Sequence, residues 1–185
     1  MIFTQTKYHS RFLTSDSIVL NGLIVLLASV VLAVVSQIAI PWQPVPLTFQ
    51  SAMVVLMGLT LGSKRAATAV ALYLLEGASG LPVFAEGYAG ISVFLMPSAG
   101  YLIGFLPAAF FAGFLMENGM ANTIMRTFMT ALLSVAIIFS FGVLHLQFAM
   151  GWKNAFLFGV QPFLITEPVK LLMASLLAKY TWKKQ

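Results

Sequence analysis

The chain has 185 residues, of which 60% are hydrophobic and only 8% are charged. Soluble domains carry about a quarter charged residues, so this composition excludes an ordinary water-soluble domain. There is no cysteine, which excludes disulfides, thiolate metal sites and cysteine nucleophiles. We therefore expect one all-α integral membrane domain over residues 1–185. In such a protein the positions of the basic residues, which give the net charge of +5, indicate the orientation in the membrane rather than a binding partner.

Apolar stretches long enough to cross about 30 Å of hydrocarbon recur along the whole chain. They predict six transmembrane helices, at about 18–40, 47–62, 66–84, 98–116, 122–146 and 156–178. The first stretch is too long for the core of a signal peptide, and we interpret it as a retained helix. The second is short and follows the proline-rich segment 41–46, which we expect to be an ordered loop because proline enforces extended geometry.

The basic residues predict the orientation of this six-helix bundle, because cytoplasmic loops are enriched in lysine and arginine. If the N-terminus is inside, only Lys153 lies on the outer side. The cytoplasmic segments then hold Lys7, Arg11, Lys64, Arg65, Arg126, Lys179, Lys183 and Lys184. We therefore predict that both termini are cytoplasmic.

The segments predicted to face outward are rich in aromatic residues, glycine and proline. They contain Trp42, Phe84, Tyr88, Phe94 and Trp152. Two interpretations stay open for these side chains: an interfacial aromatic belt, or stacking surfaces over an outward-facing pocket.

Glu167 and Lys170 in the last predicted span are the most informative residues, because a charge inside a bilayer is costly. A spacing of three places both on one helix face, roughly 14 to 18 Å from Lys179 at the cytoplasmic helix end. Pro162 and Pro168 flank the glutamate, and each frees a backbone carbonyl that only protein or a wet cavity tolerates. The pair can line a substrate pocket or form a structural ion pair that tethers the helix.

Other polar residues near membrane depth give weaker signals. Glu76 can face the bundle interior or the interface, and Glu86 is expected to be solvated. His145 has no second histidine at ligand spacing, so we predict no metal site. No phosphate-binding loop or hydrolase motif is present, and nothing in the sequence indicates an enzyme.

Three segments resemble the BioY family of biotin-specific S components, the substrate-binding subunits of energy-coupling-factor transporters. The similar segments are 37–50 (QIAIPWQPVPLTFQ), 73–84 (YLLEGASGLPVF) and 100–105 (GYLIGF). The resemblance runs through nearly the whole chain. It implies a six-helix protein of a prokaryotic cytoplasmic membrane that captures biotin outside and docks onto a transmembrane T subunit with two ATPases.

The resemblance also implies roles for particular residues. The family motif Asp-x-x-Lys, whose side chains contact the biotin rings, corresponds to Glu167 and Lys170, with an acid one methylene longer. Ser29 and Ala33 correspond to the small-residue face of the first helix through which S components dock. The further residues expected at the biotin site are Trp42, Glu76, Phe84, Tyr88 and Tyr101.

The pair also suits biotin chemically, because the ureido group offers two N–H donors and one carbonyl acceptor. We expect no bound cofactor, no nucleic-acid partner and a lipid bilayer as surroundings. Two alternatives stay open: an S component for another vitamin such as thiamine or riboflavin, and a membrane enzyme or assembly subunit with a structural Glu167–Lys170 pair.

Overall fold

The computed structural model describes residues 8–10 and 17–184, and Lys7 and Arg11 of the orientation prediction lie outside these ranges. Within them the chain forms six α-helices, which confirms the predicted all-α architecture. They are α1 (Ile18–Ser36), α2 (Gln50–Leu61), α3 (Ser63–Ala78), α4 (Ala99–Glu117), α5 (Ile124–Gly159) and α6 (Phe163–Ala178). Short strands β1 (Tyr8–Ser10), β2 (Ala39–Ile40), β3 (Leu47–Thr48) and β4 (Trp182–Lys184) form two antiparallel pairs, β1 with β4 and β2 with β3.

Three of the described helices, α1, α4 and α5, are long and apolar enough to cross a membrane. The helix α2 has 12 residues, which gives a length of about 18 Å, well short of the hydrocarbon thickness. It lies inside the bundle, where it packs on α3, α4 and α6 and fully buries Val54, Val55 and Leu59. The short helix is therefore a central element of the bundle.

One end of the bundle brings together the start of α1, the turn between α2 and α3, and the end of α4. The Glu117 carboxylate accepts hydrogen bonds from the backbone N–H and the hydroxyl of Ser63, both at 2.7 Å. Arg65 Nε donates to Asn21 Oδ1 at 2.9 Å. The strands β1 and β4 also pair with each other, so the two terminal segments lie side by side.

Several predicted helix boundaries are wrong. α3 ends at Ala78 rather than near residue 84, because the chain turns at Gly80 with φ +104°, a conformation that favours glycine. The predicted loop 147–154 is mostly helical, because α5 consists of two helical segments that meet at Gly151, where φ is +76° and ψ is 162°, and the second segment runs to Gly159. α6 consequently begins at Phe163, directly after Pro162, which needs no hydrogen bond for its missing N–H there.

The opposite end of the bundle is closed by two loops, at 37–49 and 79–98. The second loop is held down at Phe84, whose ring packs against Gly77 of α3, where a larger residue would collide with it. The side chain of Gln37 donates to Phe84 O at 3.0 Å, and Ser36 Oγ donates to Val83 O at 2.5 Å. These contacts fix the loop over the helix ends.

Candidate ligand-binding site

A cavity of about 170 Å³ lies beneath these two loops. Its walls are the proline-rich segment, the start of α2, the 84–98 loop and the inward faces of α4, α5 and α6. The lining side chains include Val45, Gln50, Ser51, Phe84, Tyr88, Tyr101, Phe139, Phe163 and Glu167. The site is mostly apolar, with a few polar groups gathered at the start of α2 and on α6, which is the usual character of a small-molecule site.

Aromatic rings from three helices form one wall of the cavity. Tyr101 and Phe139 pack edge to face with ring centroids 5.8 Å apart, and Phe139 packs on Phe163 at 5.3 Å. The Tyr101 hydroxyl donates to Gly159 O at 2.9 Å in the buried interior. Gly142 has no side chain to collide with the Tyr101 ring, so the ring lies directly against α5.

The polar side of the cavity is built around Glu167 and Lys170, which are 4% and 9% exposed and form an ion pair. The Ser51 hydroxyl lies 2.9 and 3.0 Å from the two Glu167 oxygens and donates to that carboxylate. Lys170 Nζ donates to Thr48 O at 2.7 Å and lies 5.8 Å from the centre of the Phe49 ring. The pair therefore joins α6 to the start of α2, and both charges have partners.

The two members of the pair differ in their position relative to the cavity. Glu167 borders it, whereas Lys170 lies behind the carboxylate and is absent from the lining. The site thus presents a hydrogen-bond acceptor, held in place by one hydroxyl and one ammonium group. It can receive a neutral donor without leaving a charge unpaired.

The structure separates the remaining predicted site residues into two groups. Phe84, Tyr88 and Tyr101 border the cavity together with Glu167. Trp42, which is 46% exposed, lies outside the lining, and so does Glu76.

Glu76 instead lies where α3 meets α1, and its carboxylate accepts a hydrogen bond from Ser29 Oγ at 3.1 Å. Ser29 is fully buried in this contact, while Ala33 is half-buried. Ser29 therefore does not present the small exposed surface that a docking face requires, because its side chain is directed at α3. Of the two residues predicted to form the docking face, only Ala33 is partly exposed on the outside of the bundle.

Sequence reasoning missed several residues of the cavity. Thr48, Gln50 and Ser51 cluster at the start of α2, and Phe139 and Phe163 supply two rings of the wall. The sequence did contain a signal for Thr48, Gln50 and Ser51, because they are three polar residues within four positions at the start of an otherwise apolar stretch. Phe139 had none, because phenylalanine is common in any membrane helix.

Comparison with solved structures identifies the class of this fold. The S-component for biotin from an ECF-type ABC transporter superposes with a TM-score of 0.80, covering 91% of this chain and 93% of that chain. The identity is 22%, so this likeness concerns the fold alone. The bundle has the S-component fold.

The sequence comparisons give the family. The profile of the BioY family matches residues 6–185. A probable biotin transporter BioY from Pyrococcus horikoshii is 35% identical over 78% of this chain and 85% of its own length. The biotin transporter BioY of Thermotoga maritima is 36% identical over 76% of this chain and 83% of its own length. The chain belongs to the BioY family, which confirms the resemblance noted in its sequence.

Proposed function

We propose that the chain is a biotin-binding membrane protein that captures the vitamin from outside a prokaryotic cell and does not itself catalyse a reaction. The observation that carries this proposal is the Glu167 carboxylate, buried and fixed by Ser51 and Lys170 at the edge of an aromatic cavity. The names of its relatives and the S-component fold support the same ligand.

The chemistry of the cavity suits biotin at both of its ends. The Glu167 carboxylate accepts a ureido N–H, and Lys170, directly behind it, supplies the counter-charge of that carboxylate. The thiophane ring and the aliphatic chain pack against the rings of Tyr101, Phe139 and Phe163. Glu167 thereby supplies a partner for one of the two ureido N–H donors.

Mass spectrometry of the small molecule that survives gentle purification tests the function directly. We expect biotin in the extract, and tight binding of labelled biotin that unlabelled biotin displaces but thiamine and riboflavin do not. Displacement by another vitamin would reassign the ligand within the same class. Absence of any vitamin, together with no binding of added biotin, would favour a membrane enzyme or assembly subunit with a structural pair.

The topology belongs to the same proposal: one membrane domain over residues 1–185 with six crossings and both termini cytoplasmic. The pairing of β1 with β4 supports termini on one side, and Lys64 and Arg65 lie at the bundle end where α1 begins. Reporter fusions at the two termini and at residue 153 should label the termini inside and the third site outside.

We expect Trp42 to act as part of a lid over the cavity. Its segment 41–46 has three prolines, which limit its conformations, so closing it over ligand costs little ordering entropy. Trp42→Ala should therefore raise the dissociation rate of biotin several-fold, measured by chase with unlabelled ligand. Phe148→Ala is the control, because this aromatic residue is 85% exposed on α5 and belongs to neither of the loops that cover the cavity. An unchanged rate in a folded Trp42→Ala protein would remove the lid role.

We propose that the partner in transport is a transmembrane T subunit with two ATPases, as the ECF relationship implies. The helix α1 is the least covered of the three long spans, and its half-buried Ala33 leaves room for a neighbouring helix. Ala33→Leu should abolish co-purification with the T subunit while biotin binding to the isolated chain is retained. Val30→Leu, at an exposed position that already carries a branched side chain, is the control. Normal complex formation by Ala33→Leu would exclude this contact.

A further inference from the structure

Two buried polar side chains, Gln50 of α2 and Tyr73 of α3, lie against each other beside the cavity. Gln50 borders the cavity, is 4% exposed, and donates through Nε2 to the Tyr73 hydroxyl at 2.7 Å. Tyr73 is fully buried, and its ring packs edge to face on Phe84 with ring centroids 5.4 Å apart.

The two ends of the Gln50 amide have separate partners. Nε2 faces the Tyr73 hydroxyl and Oε1 faces Thr48 Oγ1. Because only the NH₂ end of an amide donates, the Tyr73 hydroxyl accepts from it and holds the amide in this orientation.

The fixed amide leaves an acceptor at the cavity. Gln50 Oε1 accepts from Thr48 Oγ1 at 3.1 Å, and an amide oxygen has two acceptor positions, so one remains. The next residue, Ser51, is hydrogen-bonded to Glu167, which borders the same cavity. Two oxygens, one amide and one carboxylate, thus lie on the same polar side of the site.

We propose that Gln50 is a specificity-determining residue that accepts one N–H of a cyclic urea while Glu167 accepts the other, and that Tyr73 is the positioning residue that orients the amide. The proposal rests on the proposed binding of biotin and adds the second acceptor. Two acceptors match a ligand with two N–H donors on one ring. A ligand that lacks either donor leaves a buried acceptor without a partner, which is the strongest basis for rejecting it.

Two lactam analogues of biotin test this assignment, each with one of the two ureido N–H groups replaced by CH₂. The parent protein should bind each analogue about tenfold or more weakly than biotin. Gln50→Leu should bind biotin about tenfold more weakly and should no longer distinguish biotin from one particular analogue. It should still reject the other analogue, whose missing donor belongs to Glu167. Gln161→Leu, at an exposed glutamine outside the lining, should behave like the parent.

Tyr73→Phe separates positioning from packing and serves as a second variant if Gln50→Leu does not fold. It retains the ring against Phe84 but removes the hydroxyl that orients the amide. We expect reduced discrimination against the same analogue as in Gln50→Leu, with affinity for that analogue unchanged. Equal weakening of biotin and both analogues would show a structural role and overturn the positioning claim.

If Gln50→Leu still binds biotin and rejects both analogues as strongly as the parent does, the role assigned to Gln50 is wrong, although the proposed binding of biotin is not. Failure of the parent protein to bind biotin would instead reject the proposed function itself.

Discussion

Glu167→Gln should weaken biotin binding by about ten- to a hundredfold or more, because a charge-assisted hydrogen bond contributes about 1.5–3 kcal/mol. It should also lower the thermal midpoint, since neutralising one member leaves Lys170 buried without its counter-charge. Removing one partner of a buried pair costs about 3–5 kcal/mol. Isothermal titration and thermal unfolding of the same detergent preparation measure the two effects together.

Lys170→Met should lower the stability of the protein more than its affinity for biotin. The ammonium group also donates to Thr48 O, so its loss strands the Glu167 carboxylate and loosens the attachment of α6 to the start of α2. Lys170 does not border the cavity, so we expect the larger effect on stability. Ser51→Ala is a useful companion, because it removes a hydrogen bond to Glu167 while leaving the ion pair intact.

The double variant Glu167→Gln with Lys170→Met separates ligand binding from structural tethering. No charge remains unpaired, so much of the lost stability should return. If the pair belongs to the biotin site, affinity should stay low in this stable protein. A double variant that binds biotin like the parent would show that the pair is only a tether.

The sequence predicted the pair because a charge at membrane depth needs a partner, and a spacing of three on a helix supplies one. It could not predict that Glu167 borders the cavity while Lys170 lies behind it. That difference depends on α2, which approaches α6 with Thr48 and Ser51 and gives each charge a separate second partner. Such contacts join residues more than 100 positions apart and leave no local pattern.

Small residues were the least reliable signal in the sequence. Ser29 and Ala33 satisfy the one-turn spacing of a docking face, but the same spacing also allows close packing inside a bundle. The structure resolves this through Glu76, which was expected either inside the bundle or at the interface. Its hydrogen bond to Ser29 places the serine between α1 and α3.

Helix boundaries followed the hydropathy pattern at the start of α1 and α4 and failed around Gly151. A window of apolar residues cannot show that one glycine with positive φ ends one helical segment while a second begins directly after it. The consequence for the site is direct, since the segment after this break carries Gly159, the partner of Tyr101.

Tyr101 gives the second large expected effect. Tyr101→Ala removes a buried ring that packs on Phe139 and faces the ligand cavity, and substitutions of this kind cost about 3–5 kcal/mol. We expect biotin affinity to fall by about tenfold or more as the aromatic wall is lost, measured by titration at a temperature where the variant is folded. Phe110→Ala on the same helix is the matched control, because its ring is 45% exposed on the outside of the bundle.

Tyr101→Phe distinguishes the ring from its hydroxyl. The ring remains in place, but Gly159 O loses its buried donor, which should cost about 1–3 kcal/mol of stability. Because that hydroxyl is already bonded to the backbone, we expect biotin affinity to stay within about threefold of the parent, well under the 1.4 kcal/mol of a tenfold change. If Tyr101→Phe instead lost as much affinity as Tyr101→Ala, the hydroxyl would have to leave Gly159 and contact the ligand. Tyr101 would then be a polar ligand contact, and the description of it as an apolar wall held by α5 would be wrong.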